Sequence, residues 1–190
     1  HSCPPVPDVH REEAVRLLSG VVENNPDDLA ANLYLGKAYL GQELPDYALS
    51  YFEKVTELDP ENCEGHFNMA TAYRQKEEFG EALEFYKKVV EINPQYDRVN
   101  SAIGAIYMLQ KDYNEADKYY QEDIKYQGKD AHVCSDLANC YVAQGLYDKA
   151  IEYFSESVEL DEKNAQTYLG LGLAYHLKKE YGEHVNFEGK

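Results

Sequence analysis

Five side-chain columns recur in phase every 34 residues, and they constrain the fold more than any other property of this chain. Ala14, Ala48, Ala82, Ala116 and Ala150 form one column, and Tyr39, Tyr73, Tyr107, Tyr141 and Tyr175 a second. Gly36, Ala70, Gly104, Ala138 and Gly172 form a third, and Leu35, Met69, Ile103, Leu137 and Leu171 a fourth. The fifth holds Pro26, Pro60 and Pro94, after which Gly128 and Glu162 take the slot. A fixed period of this length marks a repeat architecture. Each unit is then one small element that buries its apolar face on its neighbours.

Each period reads as two helices. From Cys63 to Tyr96, His66, Met69, Ala70 and Tyr73 make one helical stripe, offset by three, four and seven. A polar KEE bend follows, and then Phe79, Ala82, Tyr86 and Val89 make a second stripe. Asn93-Pro94 closes it, because a residue before proline is pushed out of the helical region. Small residues at the crossing let two antiparallel helices approach, and aromatic residues a turn or two away fill the splay.

The order Leu-Gly-x-x-Tyr, then Ala-x-x-x-Phe/Tyr, then Pro, seen in LYLGKAYL and YALSYFEKVTELDP, resembles the tetratricopeptide repeat. The resemblance implies an all-α, right-handed superhelical solenoid of stacked antiparallel helix pairs. The period sets the expected organisation: a proline-rich leader at 1–10, a half unit at 11–28, and full units at 29–62, 63–96, 97–130 and 131–164. A half unit at 165–181 and a divergent tail at 182–190 complete it.

Two departures carry expectations. Asp123 stands where Val55 and Val89 stand in other units, so a costly lone carboxylate is expected to force local adjustment or admit water. Gly128 replaces proline, which predicts that the junction between 97–130 and 131–164 is the loosest joint.

Charge narrows the partners. A net charge of −17 repels phosphate backbones and anionic headgroups, so nucleic acid and membrane surfaces are disfavoured and neutral or basic protein ligands favoured. No apolar run is long enough to span a bilayer. The eighteen tyrosines fall mostly in packing slots, which argues against base stacking. GLGLAY lies inside a helix of the repeat, so it is a packing signature rather than a phosphate loop. The histidines show no metal-ligand spacing, and no nucleophile has a base beside it in the pattern. Neither catalysis nor a cofactor is expected. Cys3, Cys63, Cys134 and Cys140 read as free thiols, which leans towards the cytoplasm. The start HSCPPVPDVH shows no leader, and a processed exported chain would look the same.

In the solenoid implied by the resemblance, the first helix of each pair lines the concave side. The stripe opposite the core there presents Leu33, Tyr34, Lys37, Phe67, Asn68, Thr71, Arg74, Arg98, Ser101, His132, Asn139 and Leu169. Lys37, Arg74 and Arg98 against Glu64 and Asp136 leave this face near neutral, so the acidic charge sits elsewhere. Amides and apolar anchors suit a peptide. Members that clamp chaperone C-terminal carboxylates offer Lys and Asn, then Asn, then Lys and Arg. The matching slots here hold Leu33, Lys37, Asn68, Arg98 and Ala102, so only Asn68 matches outright. The expected function is a scaffold binding a peptide or partner protein. The alternatives are a recruiting arm of a larger enzyme, or a self-assembling element that dimerises through the uncovered helix at 165–181.

Overall fold

The computed structural model describes the backbone of residues 9–188 and the side chains of residues 12–180. The expected leader is thus largely outside the described residues, as is Cys3. The described chain is all-α. It forms two compact units that divide between Tyr96 and Asp97.

Unit 1 contains α1 (Val9–Asn24), α2 (Leu29–Leu40), α3 (Pro45–Leu58), α4 (Cys63–Gln75) and α5 (Phe79–Ile92). Here α2 packs on α3 and α4 on α5, and α3 lies against α4. Unit 2 contains α6 (Val99–Leu109), α7 (Tyr113–Gln127), α8 (Ala131–Ala143), α9 (Tyr147–Leu160) and α10 (Ala165–Glu188). In the same way α6 packs on α7, α8 on α9, and α9 on α10.

The turn inside each helix pair repeats atom for atom. The N–H of residue 44, 78, 112 or 146 donates back to the carbonyl of Tyr39, Tyr73, Tyr107 or Tyr141, at 2.9–3.1 Å. This six-to-one bond closes a helix only if the residue before the donor adopts a left-handed conformation. Glu43, Glu77, Lys111 and Gly145 do so, with φ between 59° and 75°. Three of the four bear a Cβ that this conformation disfavours. Glu77→Gly is therefore expected to raise stability by about 0.5–1 kcal/mol, and Gly145→Ala to lower it by about 1–2 kcal/mol. Urea midpoints of the two variants, moving in opposite directions, check this.

The same tyrosines pack on an aromatic ring of the second helix of their pair. Ring centroids of Tyr39 and Tyr51, Tyr73 and Phe85, Tyr107 and Tyr119, and Tyr141 and Tyr153 lie 5.5–5.6 Å apart. Glycine makes the closest approaches. A Cβ on Gly36 would lie 2.5 Å from the Phe52 ring, and one on Gly104 2.8 Å from the Tyr120 ring. Phe52 and Tyr120 are buried, so neither ring has room to withdraw.

First helices start on a column of caps. Asp28 accepts from the N–H of Ala31, Asn62 from Gly65, Asp130 from His132 and Val133, and Asn164 from Gln166 and Thr167. The fifth member of that column is Tyr96, which cannot cap in this way. Helix α6 accordingly starts late, at Val99, behind a left-handed Arg98 that makes no capping bond.

The Gly128 junction, expected to be the loosest, lies inside one compact unit. The chain divides at Tyr96–Asp97, where the cap is missing, while α7 and α8 belong to one compact unit. Around Gly128 the chain is tied by the double cap of Asp130 and by Lys129, whose Nζ lies 2.6 Å from Glu156 Oε2. At the far end α10 does not turn at Lys179 as its counterparts do. It runs on as helix to Glu188.

Candidate functional site

The first helices of unit 1 present one continuous strip. α2 and α4 are neighbours, and Lys37 Nζ bridges them to Glu64 Oε1 at 2.7 Å. The same ammonium lies 5.7 Å from the centre of the Tyr34 ring, which is 57% exposed. One turn along α4, Asn68 donates from Nδ2 to the Glu64 carbonyl at 2.7 Å. Thr71 donates to the Phe67 carbonyl at 2.9 Å and meets the Tyr86 hydroxyl at 3.0 Å. Phe67 is half-buried between the Tyr86 and Tyr96 rings. Arg74 is exposed at the end of the strip and has no carboxylate partner among the described residues.

Leu33 does not belong to this strip. It is buried in the core with Leu40, Phe52, Val55 and Met69. A first helix packs on its own partner helix and on the neighbouring pair, so less of its circumference stays free than packing on one side would leave. Asn68 is also largely buried, its amide nitrogen held by the backbone.

In unit 2 the corresponding strip runs along α6, α8 and α10. Arg98 is exposed, but its guanidinium pairs with Asp130 at 3.2 Å. Ser101 is half-buried and donates to Asp123 Oδ2 at 2.7 Å. His132 and Asn139 are exposed on α8. Leu169 is 65% exposed on α10, beside the exposed Tyr168 and Leu173. Two of the three cations counted on the face, Lys37 and Arg98, are thus engaged with carboxylates of the chain itself. That pairing joins residues 27 and 32 positions apart, which no local pattern reveals.

The sequence strip understated the acids of unit 2. Burial pushes Asp123 up from the ordinary carboxylate value, against the pull of the Ser101 hydrogen bond. Burial also raises Asp136, against the charges of His132 and Arg98. Asp130 goes the other way. Its burial is outweighed by N–H donation from Val133 and His132 and by Arg98, and it sits below its usual range. The local adjustment expected at Asp123 is partial: Ser101 donates to its Oδ2, while its Oδ1 has no hydrogen-bond partner among the described residues. The signal was present in the sequence as two aspartates, at 123 and 136, in columns otherwise uncharged.

The cysteines among the described residues are not activated thiols. Cys63, Cys134 and Cys140 are free thiols. Burial pushes the Cys134 thiol up to about 11 and also raises Cys140, which makes both poor nucleophiles. Among the described residues no group of three His, Cys, Asp or Glu side chains is placed to hold a metal ion.

Comparison with known proteins agrees with this architecture. Models of the tetratricopeptide repeat match residues 10–62, 63–96 and 101–131, and a TPR repeat model matches 138–179. No curated protein matches significantly. Among solved structures, MamA is similar with a TM-score of 0.73 at 24% identity, over 82% of this chain and 91% of that one. TTC0263, a thermophilic TPR protein of Thermus thermophilus, gives 0.70 at 21% identity, over 87% and 90%. YrrB, described as a TPR protein with an unusual peptide-binding site, gives 0.68 at 19% identity, over 85% and 84%. The phased columns, the repeated turn and the four consecutive model matches have one explanation: this chain belongs to the tetratricopeptide repeat family.

Proposed function

We propose that the chain is a protein-interaction scaffold that holds a peptide on the face of its first helices. The observation that carries this is the α2–α4 strip. Tyr34 offers an exposed aromatic ring, Arg74 an exposed cation without a partner among the described residues, and Thr71 and Asn68 lie between them. An aromatic anchor and an arginine are the side chains that most often dominate a binding surface. Polar groups between such anchors suit the backbone of a bound segment.

The net charge of −17 favours neutral or basic ligands and disfavours nucleic acid. No helix among the described residues is long and apolar enough to cross a membrane. The likeness to YrrB supports the same use of the fold by analogy.

Peptides selected on the full chain from a displayed library provide the test. Replacing Tyr34 and Arg74 together by alanine is expected to weaken the selected peptides by about tenfold or more. The melting temperature stays unchanged, because both side chains are exposed. Full affinity in the double variant overturns the assignment.

A further inference from the structure

Unit 2 carries under its first-helix face a carboxylate that the fold does not need. Asp123 is only 4% exposed. Its Oδ2 accepts from Ser101 at 2.7 Å, and its Oδ1 has no hydrogen-bond partner among the described residues. The repeat locates the side chain. In the same column, the Val55 methyl lies 2.9 Å from where a Cβ on Gly65 would be, and Ser157 Oγ lies 3.3 Å from Thr167 Oγ1. Both partners stand on the first turn of the following first helix. The equivalent for Asp123 is Val133, at the start of α8, with Asp136 one turn further on the same side.

Asp136 is partly exposed and within electrostatic reach of Asp123, Asp130, His132 and Arg98. From α7, Tyr120 also feels Asp136, and from the loop before α6, Asp97 acts on Asp123. Asp136 thus lies in the field of His132 and of Arg98, which Asp130 already holds, while Asp123 feels the further carboxylates of Asp97 and Asp130. Valine fills the Asp123 column in two other units, so packing alone does not call for an acid there. An interior carboxylate with an unused oxygen is costly until a cation or donor answers it.

We propose that the first-helix face of unit 2 receives a guanidinium or ammonium side chain of a basic partner peptide, with Asp136 as the accessible contact and Asp123 as the charge behind it. The inference rests on the first-helix face being the binding face. The surroundings fit a peptide: His132 and Asn139 are exposed beside Asp136 on α8, and Leu169 and Leu173 are exposed on α10. Arginine suits the site best, since its fork can serve one carboxylate and still donate towards another.

The test is a nuclear magnetic resonance titration of the full chain at pH 7 with N-acetyl-arginine amide, N-acetyl-lysine amide and the neutral N-acetyl-norleucine amide. Saturable shifts at Ser101, Asp123, His132, Asp136 and Asn139 are expected with the two cations and not with norleucine. Asp136→Asn is expected to weaken arginine-amide binding by about tenfold. Carboxyl carbon titration of the unaltered protein gives a readout that needs no variant: the cation lowers the apparent pKa of Asp123 and Asp136 together. Shifts of equal size from norleucine, or carboxyl titrations that ignore the cation, overturn the proposal. If they do so while library-selected peptides still perturb the first-helix faces, this inference alone falls. Selected peptides that perturb none of those faces remove the binding-face reading as well.

Discussion

Phe154→Ala is expected to lower the stability of unit 2 by about 3–5 kcal/mol. Phe154 is 1% exposed and belongs to a core of Tyr120, Val133, Leu137, Ala138, Tyr141 and Ala174. Its ring lies where a Cβ on Gly170 would come within 2.5 Å. The ring thus joins α9 to α10 across a glycine, and alanine would leave a void walled by helix backbone that cannot close. Domains of this size are stable by only about 5–15 kcal/mol, so the loss takes a large share. The reciprocal change is informative. Gly170→Ala normally gains helix propensity of about 1 kcal/mol, but overpacking against the ring costs about 1–3 kcal/mol. Net destabilisation is expected. Urea unfolding, with hydrogen exchange along α10, measures both. Gly170→Ala stabilising the protein would show that the ring has room to move.

The second large effect has the opposite sign. Asp123→Val combined with Ser101→Ala is expected to stabilise the protein at pH 7 by about 1–3 kcal/mol. It replaces an incompletely satisfied buried carboxylate and its hydroxyl donor by apolar groups. The gain depends on pH. Burial raises the Asp123 carboxyl in the folded state above its unfolded value. The native chain therefore holds that proton at pH values where the unfolded chain has released it. Its contribution is fully present below the ordinary aspartate value, near 4, and is lost as pH rises through the raised folded value. The double variant has no such loss, so its advantage over the unaltered chain grows with pH across that window. Asp130, shifted downward, acts in the other sense, losing stability as pH falls, but it is common to both proteins. Denaturation curves at pH 5 and pH 7.5 decide the matter. An advantage independent of pH would mean that Asp123 is ionised in the folded chain at both values. The stabilised variant is also expected to lose cation recognition, so stability and binding pull this position in opposite directions.

Much of the architecture was legible because the period is set by packing that every unit must satisfy. The tyrosine column marks the carbonyl that closes each turn, and the small-residue column marks where helices approach. The joint at Tyr96 was equally visible, as one aromatic in a column of Asp and Asn, but a period defined by apolar columns passes over it. The site was harder to read. A single helical stripe placed Leu33 on the surface, whereas packing on two sides puts it in the core. The ion pairs of Lys37 and Arg98 were not legible, because long side chains find carboxylates that lie far away in the chain. Asp123 was flagged by its column, yet its unused oxygen follows from three-dimensional placement alone.

The notch of Gly36 filled by the Phe52 ring bears on how the sequence can drift. Neither position is free to vary alone. A methyl group at 36 has no space until the ring shrinks, and a smaller side chain at 52 opens a hole until something grows towards it. Substitutions at these two sites are therefore tolerated as a pair when each is harmful singly, and lineages pass between the two solutions only by crossing a less fit intermediate.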